Sequence, residues 1–216
     1  MTRTGDWIST FSGRRVYPLD PRPDEIAVED IAHALSLVCR FTGHVRELFT
    51  VGQHSLLVSL RCPPEHALWG LLHDASEAYL ADVARPVKRD PRFGFYREAE
   101  HRMMAAICER FDSPMVEPSS VREADVRMLQ TEKRDLLRPQ PVWGEAQGSD
   151  VEPYDDVIVP RHPLEVEQAF LLRFEQLTRG HGPPAWCPGC GVPKRFVVEK
   201  RPLCDGCGFA KKVRGR

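Results

Sequence analysis

The sequence predicts an all-α domain followed by a small cysteine-rich module. Apolar residues recur at helical spacing through most of the chain before residue 180, most clearly over residues 94–111 and 163–178. Closely spaced glycines and prolines then mark a linker ahead of two C-x-x-C pairs. We therefore divide the chain into a helical domain, 1–180, and a module, 181–216.

The helical pattern can be followed in order along the chain. Residues 1–23 are interrupted by glycine and proline and predict an irregular entry. Prolines and a long polar stretch then separate the periodic segments, with loops expected around Pro86 and Pro91 and over 139–158. The predicted helices run from Pro23 to about Val38, from about Gln53 to Leu60, from Pro64 to about Leu80, and over residues 94–111, 119–137 and 163–178.

Composition excludes several classes of protein. The chain has 216 residues and a net charge of −1, so no global positive field attracts nucleic acid or an anionic membrane. The first residues lack the apolar core of a signal peptide, and no stretch approaches the roughly 18 apolar residues of a membrane span. Seven cysteines, an odd number, argue against a disulfide framework. We expect a cytoplasmic protein.

The segment HDASE over residues 73–77 is the strongest chemical signal. Residues three or four apart on a helix share a face, so Glu77 should lie beside His73 and Asp74. An imidazole together with carboxylates suits a divalent ion such as Mn, Co, Zn or Mg. This short segment therefore predicts one half of a metal site.

Two further residues extend this pattern. His54 lies on the preceding predicted helix, and Asp125 lies between apolar positions of the helix over 119–137, where a charge needs a partner or a metal. Taken singly, His54 could be a satisfied core residue and Asp125 a solvated surface residue. The prediction rests on the order H…HD…D across three successive helices.

This order resembles the HD-domain phosphohydrolase superfamily. The chain is most similar to the bacterial 5′-deoxynucleotidases and to small phage HD nucleotide hydrolases. The resemblance spans residues 23–137, and its segments are CRFTGHVRELFTVGQHSLLVS, LLHDASEAYLADVARPVK and READVRMLQTEKRDL. It implies an all-α HD-domain helical bundle and the metal-dependent hydrolysis of phosphate esters of small nucleotides.

The resemblance also implies roles for individual residues. The ligands of one catalytic divalent metal (Co, Mn, Mg or Zn) would be His54, His73, Asp74 and Asp125. Glu77 would orient or activate the attacking water, Arg40 and Lys88 would contact the phosphate side of the substrate, and Asp82 would help to hold the sugar. His44 receives no catalytic role, and a hydrogen bond within its loop is the simpler interpretation.

The C-terminal cysteines predict a second metal site. Cys187 and Cys190 form one C-x-x-C pair, Cys204 and Cys207 form another, and each pair is followed by a glycine that lets the chain turn. Four thiolates in two matched pairs suit one structural, tetrahedral zinc, and the module resembles a zinc ribbon. A redox dithiol is the alternative, but it does not require a second pair. The basic segment from Lys194 to Arg216 leaves nucleic acid or protein as a further partner.

The favoured function is that of a 5′-deoxynucleotidase, which releases phosphate from deoxynucleoside monophosphates. A phage-type dATPase, which releases triphosphate from a dNTP, stays open because the segment RFTGHVRELFTVGQHS is phage-like. A non-enzymatic zinc-ribbon module that binds nucleic acid or protein is the alternative from another class. The intact metal pattern argues against that alternative, and homo-oligomerisation stays open.

We predict one structural zinc per chain that is independent of the helical metal site. Substituting Cys187 and Cys190 together should release it and unfold residues 185–210, because such modules gain their folding free energy from the metal. Metal analysis of the purified variants measures this. Wild-type protein without zinc beyond the helical site would contradict the prediction.

Overall fold

The computed structural model describes residues 3–139, 151–179, 186, 188–191 and 193. Over these residues the chain is mostly helical, as predicted, and it also contains one small sheet. Two short strands, β1 (Ile8–Ser9) and β2 (Arg15–Val16), precede the helices. The α-helices are α1 (Val28–Leu37), α2 (Val51–Arg61), α3 (Ala67–Leu72), α4 (Glu77–Leu80), α5 (Arg85–Lys88), α6 (Gly94–Arg110), α7 (Ser119–Leu136) and α8 (Pro163–Arg179). Single 3₁₀ turns lie at Pro23–Glu25, Arg40–Gly43, Pro64–His66 and Pro91–Phe93.

The entry segment is more ordered than its composition predicts. β1 pairs antiparallel with β2, with Ile8 opposite Val16. Gly13 has a φ of 81° in the connecting turn, a conformation that glycine adopts without steric cost. Each strand has two residues, too few for an alternating pattern to be visible in the sequence. The prediction of an irregular segment is wrong over this hairpin.

The long helices α6, α7 and α8 confirm the predicted segments to within a residue or so at each end. The predicted helix from Pro64 to Leu80 is instead divided into the 3₁₀ turn Pro64–His66, α3 and α4. Between α3 and α4, the amide of Ala75 donates to Leu72 and the amide of Glu77 donates to Asp74, a tighter i to i+3 pattern. The predicted loop around Pro86 contains the short helix α5.

Helix α2 lies at the centre of the helical domain. It contacts α1, α3, α7 and α8, and its residues from Val51 to Ser59 are all buried. Gly52 permits this close packing, because a Cβ there would come within 3.1 Å of atoms of Leu35, Ser36 and Val166. A side chain on α2 is therefore fixed by its surroundings, and His54 is one such side chain.

Residues from both sides of the predicted boundary at 180 meet at α2. The Gln53 Nε2 donates to the carbonyl oxygens of Val159 at 2.7 Å and Cys190 at 3.0 Å, and its Oε1 accepts from the amide of Arg161 at 2.9 Å. Cys190 is fully buried in the main hydrophobic core. Gly191, the glycine after this first cysteine pair, has a φ of 70°, a conformation that glycine adopts without steric cost.

The predicted zinc ribbon itself lies mostly outside the described residues, as do Cys187, Cys204 and Cys207. The ribbon, its zinc and the division at residue 180 therefore stay predictions. Within the described part of the chain, no helix is both long and apolar enough to cross a membrane.

We predict that Gln53→Leu lowers the free energy of unfolding by about 3 kcal/mol, because three buried backbone groups lose their partner. Urea denaturation of the full chain measures the change. Gln168→Leu on the exposed face of α8 is the matched control and should change stability by less than about 0.5 kcal/mol. Equal stabilities for the two variants would contradict the role given to Gln53.

Candidate metal centre and pocket

Two imidazoles lie close together inside the helical domain. His54 on α2 and His73 at the end of α3 place their Nε2 atoms 3.1 Å apart. The Nδ1 of His73 lies 2.8 Å from the carbonyl oxygen of Gly70, which can only accept, so this nitrogen donates. The Nδ1 of His54 lies 2.5 Å from Oε1 of Glu132. Both rings therefore direct Nε2, the atom available to bind a metal, toward the same point.

Two carboxylates complete the cluster. Asp74 Oδ2 lies 3.3 Å from His73 Nε2 and 3.6 Å from His54 Nε2. Asp125 Oδ1, from α7, lies 3.2 Å from His54 Nε2. Donor atoms bound to one ion at about 2.1 Å are themselves about 3.0–3.5 Å apart, so this spacing fits a metal. His54, His73 and Asp74 form a group whose donor atoms all lie within 4.8 Å of one another, and Asp125 joins it through His54.

The charges of the cluster suit a cation. Burial acts to lower the pKa of His73, but the Asp74 carboxylate outweighs it and raises that pKa to about 9. Burial acts to raise the pKa of Asp125, but a hydrogen bond from His54 outweighs it and lowers that pKa to about 2. The carboxylates thus stay ionised and draw positive charge to the imidazoles, a charge that a divalent ion can supply in place of protons.

Glu77 behaves differently from the ligands. Burial, together with the nearby charges of Asp74 and Asp82, raises its pKa well above the ordinary value. Its Oε1 lies 3.8 Å from the Nζ of Lys88, whereas its buried Oε2 has no hydrogen-bond partner among the described residues. An unpaired buried carboxylate oxygen beside a group of possible metal ligands is suited to hold a water molecule.

Glu132 is a residue of this site that the sequence analysis missed. Its fully buried carboxylate bonds His54 through Oε1 and the Arg40 guanidinium through Oε2, at 3.1 Å to Nε and 3.0 Å to Nη2. Glu132 is seven residues after Asp125, two turns along α7, and therefore shares its face. It also lies four residues from each of the inward-facing Met128 and Leu136, a signal that could have revealed it.

The pocket above the cluster has a volume of about 460 Å³ and is lined by Asp74 and Asp125. The residues predicted to act on the substrate or the water line it as well, namely Arg40, Glu77, Asp82 and Lys88. His44 and Arg85, which received no role from the sequence, also line it. The apolar part of the wall consists of Phe41, Val83, Ala84, Pro86, Leu129 and Leu137, with Thr42 beside them.

The two cations predicted to contact phosphate are already paired. Arg40 bonds Glu132 and lies 3.4 Å from Asp74 Oδ2. Lys88 Nζ lies 2.7 Å from Glu100 Oε1. Both side chains thus neutralise carboxylates of the protein, and their contact with a substrate stays a prediction.

Strained backbone borders the pocket on two sides. Phe41 and Thr42 have φ values of 54° and 53°, and Ala81, next to Asp82, has φ 66° and ψ 160°. Such conformations cost about 1–3 kcal/mol each in non-glycine residues and are found at functional sites. The Tyr96 hydroxyl lies 2.7 Å from the carbonyl oxygen of Ala81, which helps to hold this segment and with it Asp82.

Two bacterial proteins are similar to this chain over most of its length. The uncharacterized protein YfdR of Escherichia coli K12 is 38% identical over 173 residues, which covers 80% of this chain and 96% of YfdR. The uncharacterized protein RCAP_rcc00048 of Rhodobacter capsulatus is 35% identical over 190 residues, with 80% of this chain and 96% of that protein covered. No family model matches the chain.

We predict that Glu132→Gln lowers the affinity of the cluster for Mn²⁺ by about 10- to 100-fold, the usual effect of losing a carboxylate that orients a ligating histidine. The amide retains the volume of the carboxylate but not its charge, and titration of the metal-stripped protein measures the affinity. Glu123→Gln, on the exposed side of α7, is the control. Equal Mn²⁺ affinities for the two variants would remove Glu132 from the metal centre.

Proposed function

This chain belongs to the YfdR family, and we propose that it is a divalent-metal-dependent phosphohydrolase of the HD type that acts on small nucleotides. The proposed substrate is a deoxynucleoside 5′-monophosphate, from which the enzyme releases phosphate. One observation carries the proposal. The Nε2 atoms of His54 and His73 and the Oδ2 of Asp74 lie 3.1–3.6 Å from one another, and Asp125 Oδ1 lies 3.2 Å from His54 Nε2. An unpaired buried oxygen of Glu77 lies beside this group.

His54, His73, Asp74 and Asp125 would hold the ion. A divalent metal bound there would lower the pKa of a water molecule bound to it and would polarise a phosphoryl oxygen of the substrate. Mn, Co, Mg and Zn all fit a mixed set of imidazole and carboxylate donors. The tautomers fixed by Glu132 and by the Gly70 carbonyl keep both Nε2 atoms ready for that ion.

Glu77 is placed to accept a proton from the attacking water. Its raised pKa makes its carboxylate a stronger base than an exposed glutamate, which suits general-base catalysis near neutral pH. Lys88, 3.8 Å from Glu77, offsets part of the negative charge that gathers there. Arg40 neutralises Asp74 and Glu132 and thereby stabilises the acidic cluster when substrate phosphate approaches.

The apolar wall of the pocket fits the remainder of a nucleotide. Phe41, Leu129 and Leu137 provide a surface on which a nucleobase can pack, while Asp82 offers a carboxylate to sugar hydroxyls. A pocket of about 460 Å³ lies within the range common for small-molecule sites. These features support a small nucleotide as the substrate.

Two substitutions separate metal binding from water activation. Asp74→Asn should abolish both the bound helical metal and phosphate release, because it removes a ligand charge at the centre of the site. Glu77→Ala should retain the metal and the substrate affinity while the single-turnover rate falls by about 10²–10⁴, the usual contribution of a positioned base.

Two measurements on the same preparations distinguish metal binding from water activation. They are the metal content and the single-turnover release of phosphate from deoxynucleoside monophosphates. Glu109→Ala, at the exposed end of α6, is the control and should turn over like the wild type. Full turnover by Asp74→Asn would refute the metal-dependent mechanism. A joint fall of metal content and rate in Glu77→Ala would make Glu77 a support for a ligand instead of the base.

A further inference from the structure

Arg85 differs from the other cations of the pocket wall. Arg40 and Lys88 are each paired with protein carboxylates, as described above. Arg85 lines the same pocket and is exposed, and among the described residues no carboxylate lies within ion-pair distance of its guanidinium. Its positive charge thus borders the pocket without a direct ion pair to any described carboxylate.

The backbone holds Arg85 at the rim of the pocket. It is the first residue of α5, where Pro86 restricts the conformation of the chain, and its carbonyl accepts from the amide of Arg89 at 3.0 Å. Ala84, Arg85 and Pro86 all line the pocket. The backbone of Arg85 is therefore fixed at the pocket wall, within reach of the cavity.

Lys133 is a second cation in the neighbourhood of Arg85. Lys133 lies on α7 one turn after Leu129, which lines the pocket. Burial lowers the pKa of Lys133, and the positive charge of Arg85 lowers it further. An anion bound at Arg85 would also be attracted by this second positive charge.

We propose that Arg85 is the residue of this pocket that binds the substrate phosphate, and that the site accepts a single phosphate ester. This inference rests on the proposed function and assigns to Arg85 the contact that the resemblance assigned to Arg40 and Lys88. An arginine fork is suited to bind two phosphate oxygens at once.

The charge of the pocket wall supports a single phosphate. Its carboxylates are Asp74, Glu77, Asp82 and Asp125, and its basic side chains of fixed charge are Arg40, Arg85 and Lys88. A divalent ion brings this wall near to neutrality. A phosphate monoester adds about two negative charges and leaves the site only slightly negative. A triphosphate adds about four and would leave a larger excess of negative charge beside the four carboxylates of the wall.

Binding of inorganic phosphate to the Mn²⁺-loaded full chain tests Arg85 without turnover. Arg85→Gln should weaken phosphate binding, measured by titration calorimetry, by about 10- to 100-fold, as expected for a charged hydrogen bond. Arg92→Gln is the matched control, since this arginine is exposed and pairs with Asp90 outside the pocket. Unchanged phosphate affinity in Arg85→Gln, or no phosphate binding by the wild type, overturns the assignment.

Kinetics then test the substrate class. Arg85→Gln should raise KM for deoxynucleoside monophosphates by a factor similar to that for phosphate while kcat changes little. Wild-type protein should prefer monophosphates to the corresponding triphosphates, and the opposite preference overturns the single-phosphate inference. If the wild type binds phosphate through Arg85 but hydrolyses no nucleotide, the assignment of Arg85 to phosphate binding is upheld and the proposed function is refuted.

Discussion

The carboxylate of Glu132 bonds His54 and Arg40 at the same time, and the arrangement of the site depends on this double contact. A fully buried carboxylate loses several kcal/mol of hydration free energy, which must be offset by close partners. The contact joins three parts of the chain: α7, α2 and the turn that begins at Arg40. It fixes the imidazole that carries one donor atom and the guanidinium that neutralises Asp74, so that ligand geometry and local charge are set together.

The rest of the molecule holds these partners in place. Helix α2 is buried on all sides, so His54 cannot move without disturbing the core, and its neighbour Gln53 bonds backbone groups around residues 159–161 and 190. The opposite side of the pocket is held in a strained conformation at Ala81, supported by Tyr96. Rigid ligands on one side and a strained segment on the other are consistent with a site arranged before substrate binds.

Much of this arrangement could be predicted from the sequence. The residues that could not be predicted were missed for one common physical reason. The spacing of apolar residues predicts α6 to α8, and the order of His54, His73, Asp74 and Asp125 predicts a cluster that the fold brings together. The turn at residues 73–76 was missed because the apolar pattern continues through it. Glu132 and Arg85 were missed because a single sequence does not show which acid meets which base. From the sequence alone, Arg40 was expected to bind phosphate, because its ion pair with Glu132 on α7 is visible only in the structure.

The central claim is that His54, His73, Asp74 and Asp125 bind one divalent ion. The most direct test is a crystal structure of the Mn²⁺-loaded protein with anomalous scattering recorded at the manganese edge. The account predicts one anomalous peak bonded to Nε2 of both histidines and to an oxygen of each aspartate, at about 2.1 Å from the donor atoms. A manganese peak elsewhere, with these four side chains bonded only to one another or to water, would contradict it.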